Sequence, residues 1–114
     1  MTNNLKDRTR KFALDVIRLC ARLPQTQVMR ILTGQLVRAA TSVAANYRAA
    51  CRGKSRADFI NKLSTVEEEA DESGFWLGMI QDLGVQDAEL PRLMDEANQL
   101  TAIMVASKKT ARRP

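Results

Sequence analysis

The sequence predicts an all-α protein that folds as an antiparallel, up-down-up-down four-helix bundle. Hydrophobic residues make up 45% of the 114 residues and aromatic residues only 4%, with 5 glycines and 3 prolines, a composition typical of helical proteins. Apolar residues recur three and four positions apart in four separate segments. Short breaks separate these segments, so each predicted helix must run antiparallel to the next one.

The first two helices are expected over residues 5–23 and 26–52. The apolar stripe of the first comprises Phe12, Val16, Leu19 and Leu23. Pro24 ends that helix, because the residue before a proline is disfavoured in the helical region. Thr26 is predicted to cap the second helix. The residues expected along its buried stripe are Val28, Ile31, Leu32, Gln35, Ala39, Val43, Asn46, Tyr47 and Ala50.

The third helix is expected over residues 56–83, with Ser55 as its N-cap and Gly84 as its C-terminal stop. Its seam alternates strictly between steps of four and three residues, which is the strongest periodic signal in the chain. The seam comprises Phe59, Leu63, Val66, Ala70, Ser73, Leu77 and Ile80. The fourth helix is expected to begin at the cap Asp87 and to end near Ser107. Its stripe comprises Leu90, Leu93, Ala97, Leu100 and Met104.

The predicted domain organisation is a single bundle, residues 1–107, followed by a basic flexible tail, residues 108–114. The N-terminus lacks the apolar region of a signal peptide, and no segment approaches the length of a membrane span. We therefore expect a cytoplasmic protein with no membrane partner. Cys20 and Cys51 are interpreted as small buried hydrophobic residues in a reducing compartment.

The chain has no histidine, which excludes Ser-His-Asp and Cys-His nucleophile systems as well as histidine metal sites. The acidic run over residues 67–72 could suggest a metal site, but a carboxylate-bridged centre needs ligands from facing helices. The predicted second helix has no carboxylate at all. Cys51, near Arg48 and Arg52, is a weak candidate for a reactive thiolate. We expect no catalytic residue, no cofactor and no metal, and hence a protein that is not an enzyme.

Charge is distributed very unevenly along the chain, whose net charge is +5. Residues 26–62 carry seven basic and one acidic side chain, whereas residues 63–107 carry one basic and ten acidic side chains. This asymmetry fits either a polyanionic partner, complementary faces that meet within or between subunits, or ordinary solvated helix surfaces. The candidate nucleic-acid-binding residues lie at the predicted turn between helices two and three and in the tail: Arg48, Arg52, Lys54, Arg56, Lys108, Lys109, Arg112 and Arg113.

Some apolar residues lie away from the core stripes of their helices, which a solitary bundle should not expose to water. The candidates for an interface between copies of the chain are Phe75, Trp76, Met79, Leu14 and Ile17. This arrangement favours a homo-oligomer. The turn at residues 53–54 also sets a register in which Arg38 faces Glu67 or Glu69. Such an ion pair either fixes the register of the helices or is a weak contact at the rim.

The segments over residues 35–46 (QLVRAATSVAAN), 52–55 (RGKS), 59–64 (FINKLS) and 67–72 (EEEADE) carry a family resemblance. In them the chain resembles the small four-helix bundle proteins encoded within intervening sequences of bacterial 23S rRNA genes. Those proteins look similar in fold to the accessory proteins of diversity-generating retroelements. The resemblance implies a bacterial cytoplasmic protein that forms a homopentameric ring. It also implies binding of nucleic acid, or of a reverse transcriptase, through a basic surface.

Taken together, the sequence predicts a non-enzymatic, homo-oligomeric helical scaffold or adaptor. Its expected partners are other copies of itself, together with RNA or DNA or an enzyme that acts on nucleic acid. The alternative is a protein–protein interaction module that does not bind nucleic acid. Salt-dependent binding to generic RNA and DNA distinguishes the two, because contacts with phosphate release counterions.

Overall fold

Four α-helices, and no strands, build the part of the chain that the structure describes, which is residues 4–114 of a computed structural model. The helices are α1 (Asn4–Ala21), α2 (Gln27–Cys51), α3 (Arg56–Asp82) and α4 (Glu89–Ala111). Each packs against its neighbours in sequence, and α1 also packs against α4, so the four close into a bundle about 49 Å long. The predicted fold is confirmed. Residues 1–3 of the predicted domain lie outside the described residues.

The predicted boundaries follow from local hydrogen bonds and backbone conformation. The Thr26 hydroxyl accepts a hydrogen bond from the Met29 N–H at 3.1 Å, and the Ser55 hydroxyl accepts one from the Asp58 N–H at 3.1 Å. These bonds satisfy N–H groups that have no partner inside the helix. Gly84 follows α3 with a φ of +93°, in the left-handed region that favours glycine.

The start and end of α4 differ from the prediction. Ala88 occupies the N-cap position, and the Asp87 carboxylate, one residue earlier, accepts a hydrogen bond from the Glu89 N–H at 3.0 Å. The predicted end near Ser107 is wrong, since α4 continues to Ala111. A contact of Lys108 with α3, described below, holds these extra residues against the bundle.

The core lies along the seams that face the bundle axis. Every predicted seam residue of α3 is fully buried except Phe59, which is half-buried near the start of the helix. The predicted stripe of α2 is wrong in its N-terminal half, where Val28 and Ile31 are 61% and 60% exposed and Gln35 is also exposed. The buried positions of α2 are instead Met29, Leu36, Ala39, Ala40, Val43, Tyr47 and Ala50. Met29, Leu36, Val43 and Ala50 repeat every seven residues, so the core-facing stripe lies on a different side of α2 from Val28 and Ile31.

The two cysteines form no disulfide and differ in environment. Cys20 is buried, and burial raises the pKa of its thiol to about 11, because the thiolate loses hydration. Cys51 is exposed at the end of α2, so its predicted burial is wrong. The helix ends there, at the rim of the bundle, where packing against the other helices stops.

Candidate nucleic-acid interface and exposed apolar faces

The antiparallel topology gathers basic side chains at one end of the bundle. The N-terminus of α1, the α2–α3 turn and the C-terminus of α4 all meet there. The Arg56 guanidinium donates a hydrogen bond to the backbone carbonyl of Arg113 at 3.4 Å, which joins the turn to the tail. This basic end holds thirteen of the chain's 18 lysines and arginines: Lys6, Arg8, Arg10, Lys11, Arg48, Arg52, Lys54, Arg56, Lys62, Lys108, Lys109, Arg112 and Arg113.

The structure brings seven of the eight predicted nucleic-acid-binding residues together as exposed side chains. They are Arg48, Arg52, Lys54, Arg56, Lys109, Arg112 and Arg113. Within residues 4–114, none of these seven makes an ion pair with a carboxylate. Their positive charge is therefore available to an external anion.

Lys108 is the exception among the predicted residues. Its ammonium lies 2.6 Å from Glu67 Oε1 and donates a hydrogen bond to Ser64 Oγ at 3.2 Å. The contact with Ser64 is a hydrogen bond, whereas the contact with Glu67 is an ion pair without hydrogen-bond geometry. The Lys108 side chain is only 15% exposed. It ties α4 to α3 and offers no charge to a ligand.

The sequence reasoning missed five of the basic residues at this end, and two of these five are Lys6 and Arg10. Together with Arg48 they line a groove between α1 and α2 that encloses about 520 Å³. Leu14 and Ile17 line the same groove further along α1. The position of Lys6 and Arg10 could have been predicted from the sequence, because an up-down-up-down bundle places the start of its first helix beside the turn between helices two and three.

The predicted ion pair between α2 and α3 forms between Arg38 and Glu69, and Glu72 joins it. The Arg38 guanidinium donates to both carboxylate oxygens of Glu69, at 3.2 and 3.3 Å, and also to Glu72. The predicted contact with Glu67 is wrong, because Glu67 lies two residues, or about 200°, around the helix from Glu69 and faces α4. Half of the Arg38 side chain is exposed, which favours the interpretation as a rim contact.

A column of ion pairs joins α1 to α4, and the sequence analysis did not anticipate it. The pairs are Arg8–Glu96 at 2.7 Å and Asp15–Arg92 at 2.9 Å, and Arg22–Asp87 at 3.0 Å continues the column just beyond the ends of the two helices. Asp15 is the most buried member, with a side chain that is 10% exposed. The Lys11 ammonium, 2.5 Å from Asp15 Oδ2, is the main cause that holds the pKa of Asp15 below its ordinary value, and Arg92 contributes further.

The residues predicted to lie at an interface between copies are largely exposed in the single chain. Phe75 is 55% exposed, and Leu14, Ile17 and Met79 are each about 40% exposed. Trp76 is half-buried against the core, its ring meets that of Phe75 edge-to-face at 4.9 Å, and its Nε1 approaches Glu72 at 3.4 Å. Association through these residues stays a prediction.

Metal ligands and membrane-spanning segments are both lacking among the described residues. Within residues 4–114, no group of three or more cysteines and carboxylates is placed to hold a metal ion. None of the four helices has the combination of length and hydrophobicity needed to cross a membrane.

Comparison with known proteins identifies a family and a similar solved structure. The sequence model of the 23S rRNA-intervening sequence protein family matches residues 2–106. The chain is also similar to the crystal structure of a protein of unknown function from the S23 ribosomal protein family of Bacteroides thetaiotaomicron. The two share 28% identity with a TM-score of 0.84, over 92% of this chain and 98% of the other. No curated protein matches the chain. The similarity in fold to the retroelement accessory proteins stays a prediction.

Proposed function

The chain belongs to the 23S rRNA-intervening sequence protein family, and from this premise we propose that it is a non-enzymatic, homo-oligomeric adaptor that binds nucleic acid through its basic end. The family description names no activity, so the proposal depends on the residues themselves. The pentameric ring that the sequence resemblance implies belongs to this proposal. Binding would be to the phosphate backbone, because the residues concerned are cations without a base-reading motif.

The proposal rests on one observation, which is the position of the lysines and arginines that make no ion pair. Eleven of the 18 lysines and arginines make no ion pair within residues 4–114, and ten of these eleven lie at the basic end. Only Arg30 lies elsewhere, near the start of α2. The guanidinium group of an arginine can donate two parallel hydrogen bonds to the oxygens of one phosphate. Five of the ten residues are arginines near the α2–α3 turn or in the tail: Arg48, Arg52, Arg56, Arg112 and Arg113.

The acidic half of the sequence does not oppose this binding. Six of the ten carboxylates in residues 63–107 are neutralised by ion pairs: Glu67, Glu69, Glu72, Asp87, Glu89 and Glu96. Glu67 and Glu96 are paired with Lys108 and Arg8 of the basic end, and the other four are paired further along the bundle. Asp7 and Asp58 lie in the first turns of α1 and α3 at the basic end, where the ten lysines and arginines without an ion pair outnumber them. The local field therefore favours an anion there.

The test measures binding of labelled generic RNA and DNA duplexes by fluorescence anisotropy, over a series of salt concentrations. Replacement of Arg48, Arg52 and Lys54 together by alanine should weaken binding at low salt. It should also reduce the slope of log affinity against log salt by about three, or about one per lost phosphate contact. A matched control replaces Arg18, Arg22 and Arg30 at the opposite end, which removes the same net charge. Equal losses in both variants, or no binding by the wild type at about 50 mM salt, would refute the proposal.

The second candidate function is a protein–protein adaptor without nucleic-acid binding. The exposed Phe75, Met79, Leu14 and Ile17 favour it, because monomeric proteins seldom leave such side chains in water in contiguous patches. If the wild-type protein assembles but the duplexes do not bind, this second function replaces the first.

A further inference from the structure

A small apolar recess opens at the basic end, between the start of α3 and the C-terminal part of α4. It encloses about 410 Å³, a volume within the range of about 300–1,000 Å³ that is typical of small-molecule sites. The lining of this α3–α4 recess comprises Phe59, Ile103, Ala106, Ser107, Thr110 and Ala111. The recess therefore combines one aromatic ring and several aliphatic groups with two hydroxyl groups.

Phe59 is the one aromatic side chain at the basic end that a ligand can reach. Among the other four aromatic residues of the chain, Phe12 and Tyr47 are buried in the core. Phe75 and Trp76 lie on the half of α3 that is remote from the basic end. Phe59 packs against the core but stays half-buried, and the rest of its surface lines the recess. An accessible ring beside unpaired cations is typical of sites that bind single-stranded nucleic acid.

Two arginines lie at the outer end of the α3–α4 recess. Arg56 precedes Phe59 by one turn of α3, and Arg113 follows Thr110 by three residues at the end of α4. The Arg56 guanidinium donates its hydrogen bond to the Arg113 carbonyl at 3.4 Å, so the two residues are in contact. Both belong to the ten lysines and arginines of the basic end that make no ion pair within residues 4–114. A ligand in the recess therefore has cations beside it.

The carboxylates of α3 that are nearest to Phe59 in sequence do not cancel this positive charge. Asp58 precedes Phe59 directly, but its Oδ2 lies against Gly53 in the α2–α3 turn, 3.0 Å from the position that a Cβ would take there. Glu67, about two turns further along α3, is paired with Lys108. The charge around the recess therefore favours an anionic ligand.

Ser107 and Thr110 give the recess a polar edge. Neither hydroxyl group makes a hydrogen bond within residues 4–114, whereas the hydroxyl of Thr101 in the same helix donates to the Ala97 carbonyl at 2.8 Å. A hydroxyl group both donates and accepts hydrogen bonds, so it suits the polar edge of a base. An acyl chain would remove both hydroxyl groups from water without giving them a partner, which disfavours a lipid as the occupant.

We propose that the α3–α4 recess receives one unpaired nucleobase of a single-stranded nucleic acid, stacked on Phe59. The phosphates on either side of that nucleotide then bind Arg56 and the cations of the tail. A nucleotide fits this site, because its base has an apolar face and a polar edge and its backbone is anionic. Bases inside a duplex are already paired and stacked, so only a single strand, a loop or a bulge presents one. This inference rests on the phosphate binding of the proposed function and adds the class of nucleic acid.

The test compares a labelled single strand of about ten nucleotides with a duplex of the same length by fluorescence anisotropy. Phe59→Leu keeps an apolar side chain but removes the ring, so it should weaken binding of the single strand by about 5- to 150-fold. Its affinity for the duplex, and the slope of log affinity against log salt, should stay unchanged because no phosphate contact is lost. Phe59→Tyr should restore the binding. Phe75→Leu, which removes an exposed ring outside the basic end, is the matched control and should alter neither affinity.

Two further variants test the stacking without removing Phe59 from the core side of α3. Ala106→Leu enlarges an exposed residue of the lining and should weaken binding of the single strand alone, because its side chain fills the recess. Phe59→Trp combined with Trp76→Phe moves the only tryptophan of the chain into the recess. The single strand should quench its emission, and the duplex should not. Circular dichroism verifies that each variant is folded.

Competition distinguishes a nucleobase from an acyl chain as the occupant. Adenosine monophosphate in excess should displace the labelled single strand, whereas laurate, a fatty acid with a carboxylate but no ring, should not. Displacement by laurate and not by the nucleotide would assign the recess to an acyl chain and overturn the proposal.

The outcomes separate this inference from the proposed function. If neither nucleic acid binds at about 50 mM salt, both are overturned. If both nucleic acids bind, and Phe59→Leu and Ala106→Leu leave the affinity for the single strand unchanged, the base recess is overturned and phosphate binding stands. Equal losses for single strand and duplex in Phe59→Leu would show a structural role for the ring and would also overturn the base recess.

Discussion

Replacement of Asp15 by asparagine should destabilise the bundle in a pH-dependent way. The Asp15 carboxylate lies at the α1–α4 contact with only 10% of its side chain exposed, and it binds Lys11, Arg18 and Arg92 at 2.5, 3.1 and 2.9 Å. An asparagine at this position would have nearly the same shape as the aspartate but no charge. The substitution therefore removes charge-assisted hydrogen bonds without opening a cavity.

The magnitude follows from the exposure of the three partners. A hydrogen bond to a charged group contributes about 1.5–3 kcal/mol, and breaking a fully buried ion pair costs about 3–5 kcal/mol. Lys11, Arg18 and Arg92 have side chains that are 68%, 64% and 44% exposed, so water replaces much of what they lose. We expect a loss of about 2 kcal/mol in the free energy of unfolding, and a fall of roughly 8 °C in Tm for a domain of this size.

The pH dependence gives the decisive measurement. Because the pKa of Asp15 is lower in the folded than in the unfolded chain, its ionised form stabilises the fold above the ordinary value of 3.8. That stabilisation is lost as the pH falls below 3.8 and through the lower pKa of the folded chain. Urea unfolding followed by circular dichroism should show the full difference between wild type and Asp15→Asn at about pH 7 and a much smaller one at about pH 2. Equal differences at both pH values would refute the reasoning. As a control, Asp95→Asn alters an exposed contact with Gln99 and should lower the free energy of unfolding by less than about 0.5 kcal/mol at either pH.

Three further predictions test the core, a turn and the thiols. Leu100→Ala should lower the free energy of unfolding by about 2–5 kcal/mol, because the side chain is fully buried, and the exposed Leu83→Ala should cost far less in the same urea titration. Gly84→Ala should lower Tm, since an alanine at a φ of +93° is strained by about 1 kcal/mol or more. A thiol reagent at neutral pH should modify Cys51 in the native protein, and Cys20 only after denaturation.

Helix positions were predictable where one face of the sequence was clearly the more apolar. In α3 the four-three alternation leaves a single choice of core face, and every seam residue from Leu63 to Ile80 is buried. In α2 the apolar residues occur on more than one face. Val28, Ile31 and Met29 are all apolar, so the sequence does not distinguish them. Packing against the neighbouring helices decides that Met29 is buried and that the other two are exposed. Local spacing cannot specify that choice near the end of a helix.

The partners of individual charges were less predictable than the helices. The tail is a uniform run of basic residues in the sequence, yet Lys108 alone turns inward to Glu67. A signal existed, because Lys108 lies four residues beyond Met104 and so continues the buried stripe of α4. The column of pairs between α1 and α4 joins residues as far apart as Arg8 and Glu96. Such pairs depend on the relative height of two helices, which a single sequence does not give.

The two parts of the proposed function, assembly of copies and binding of nucleic acid, make a joint demand that neither part makes alone. Phe75→Asp lies far from the basic end along α3, so it leaves every proposed phosphate contact intact, but it places a charge at an exposed residue predicted to lie between copies. If assembly places several basic ends within reach of one duplex, this variant must lose assembly and also lose affinity for a long duplex by about 10²–10⁴-fold, while its affinity for a duplex too short to bridge two copies stays unchanged. The alanine variant at Arg48, Arg52 and Lys54 must weaken binding to both duplexes and still assemble. A monomeric Phe75→Asp variant that binds the long duplex as well as the wild type does would mean that the ring contributes nothing to recognition, even if each half of the argument is correct.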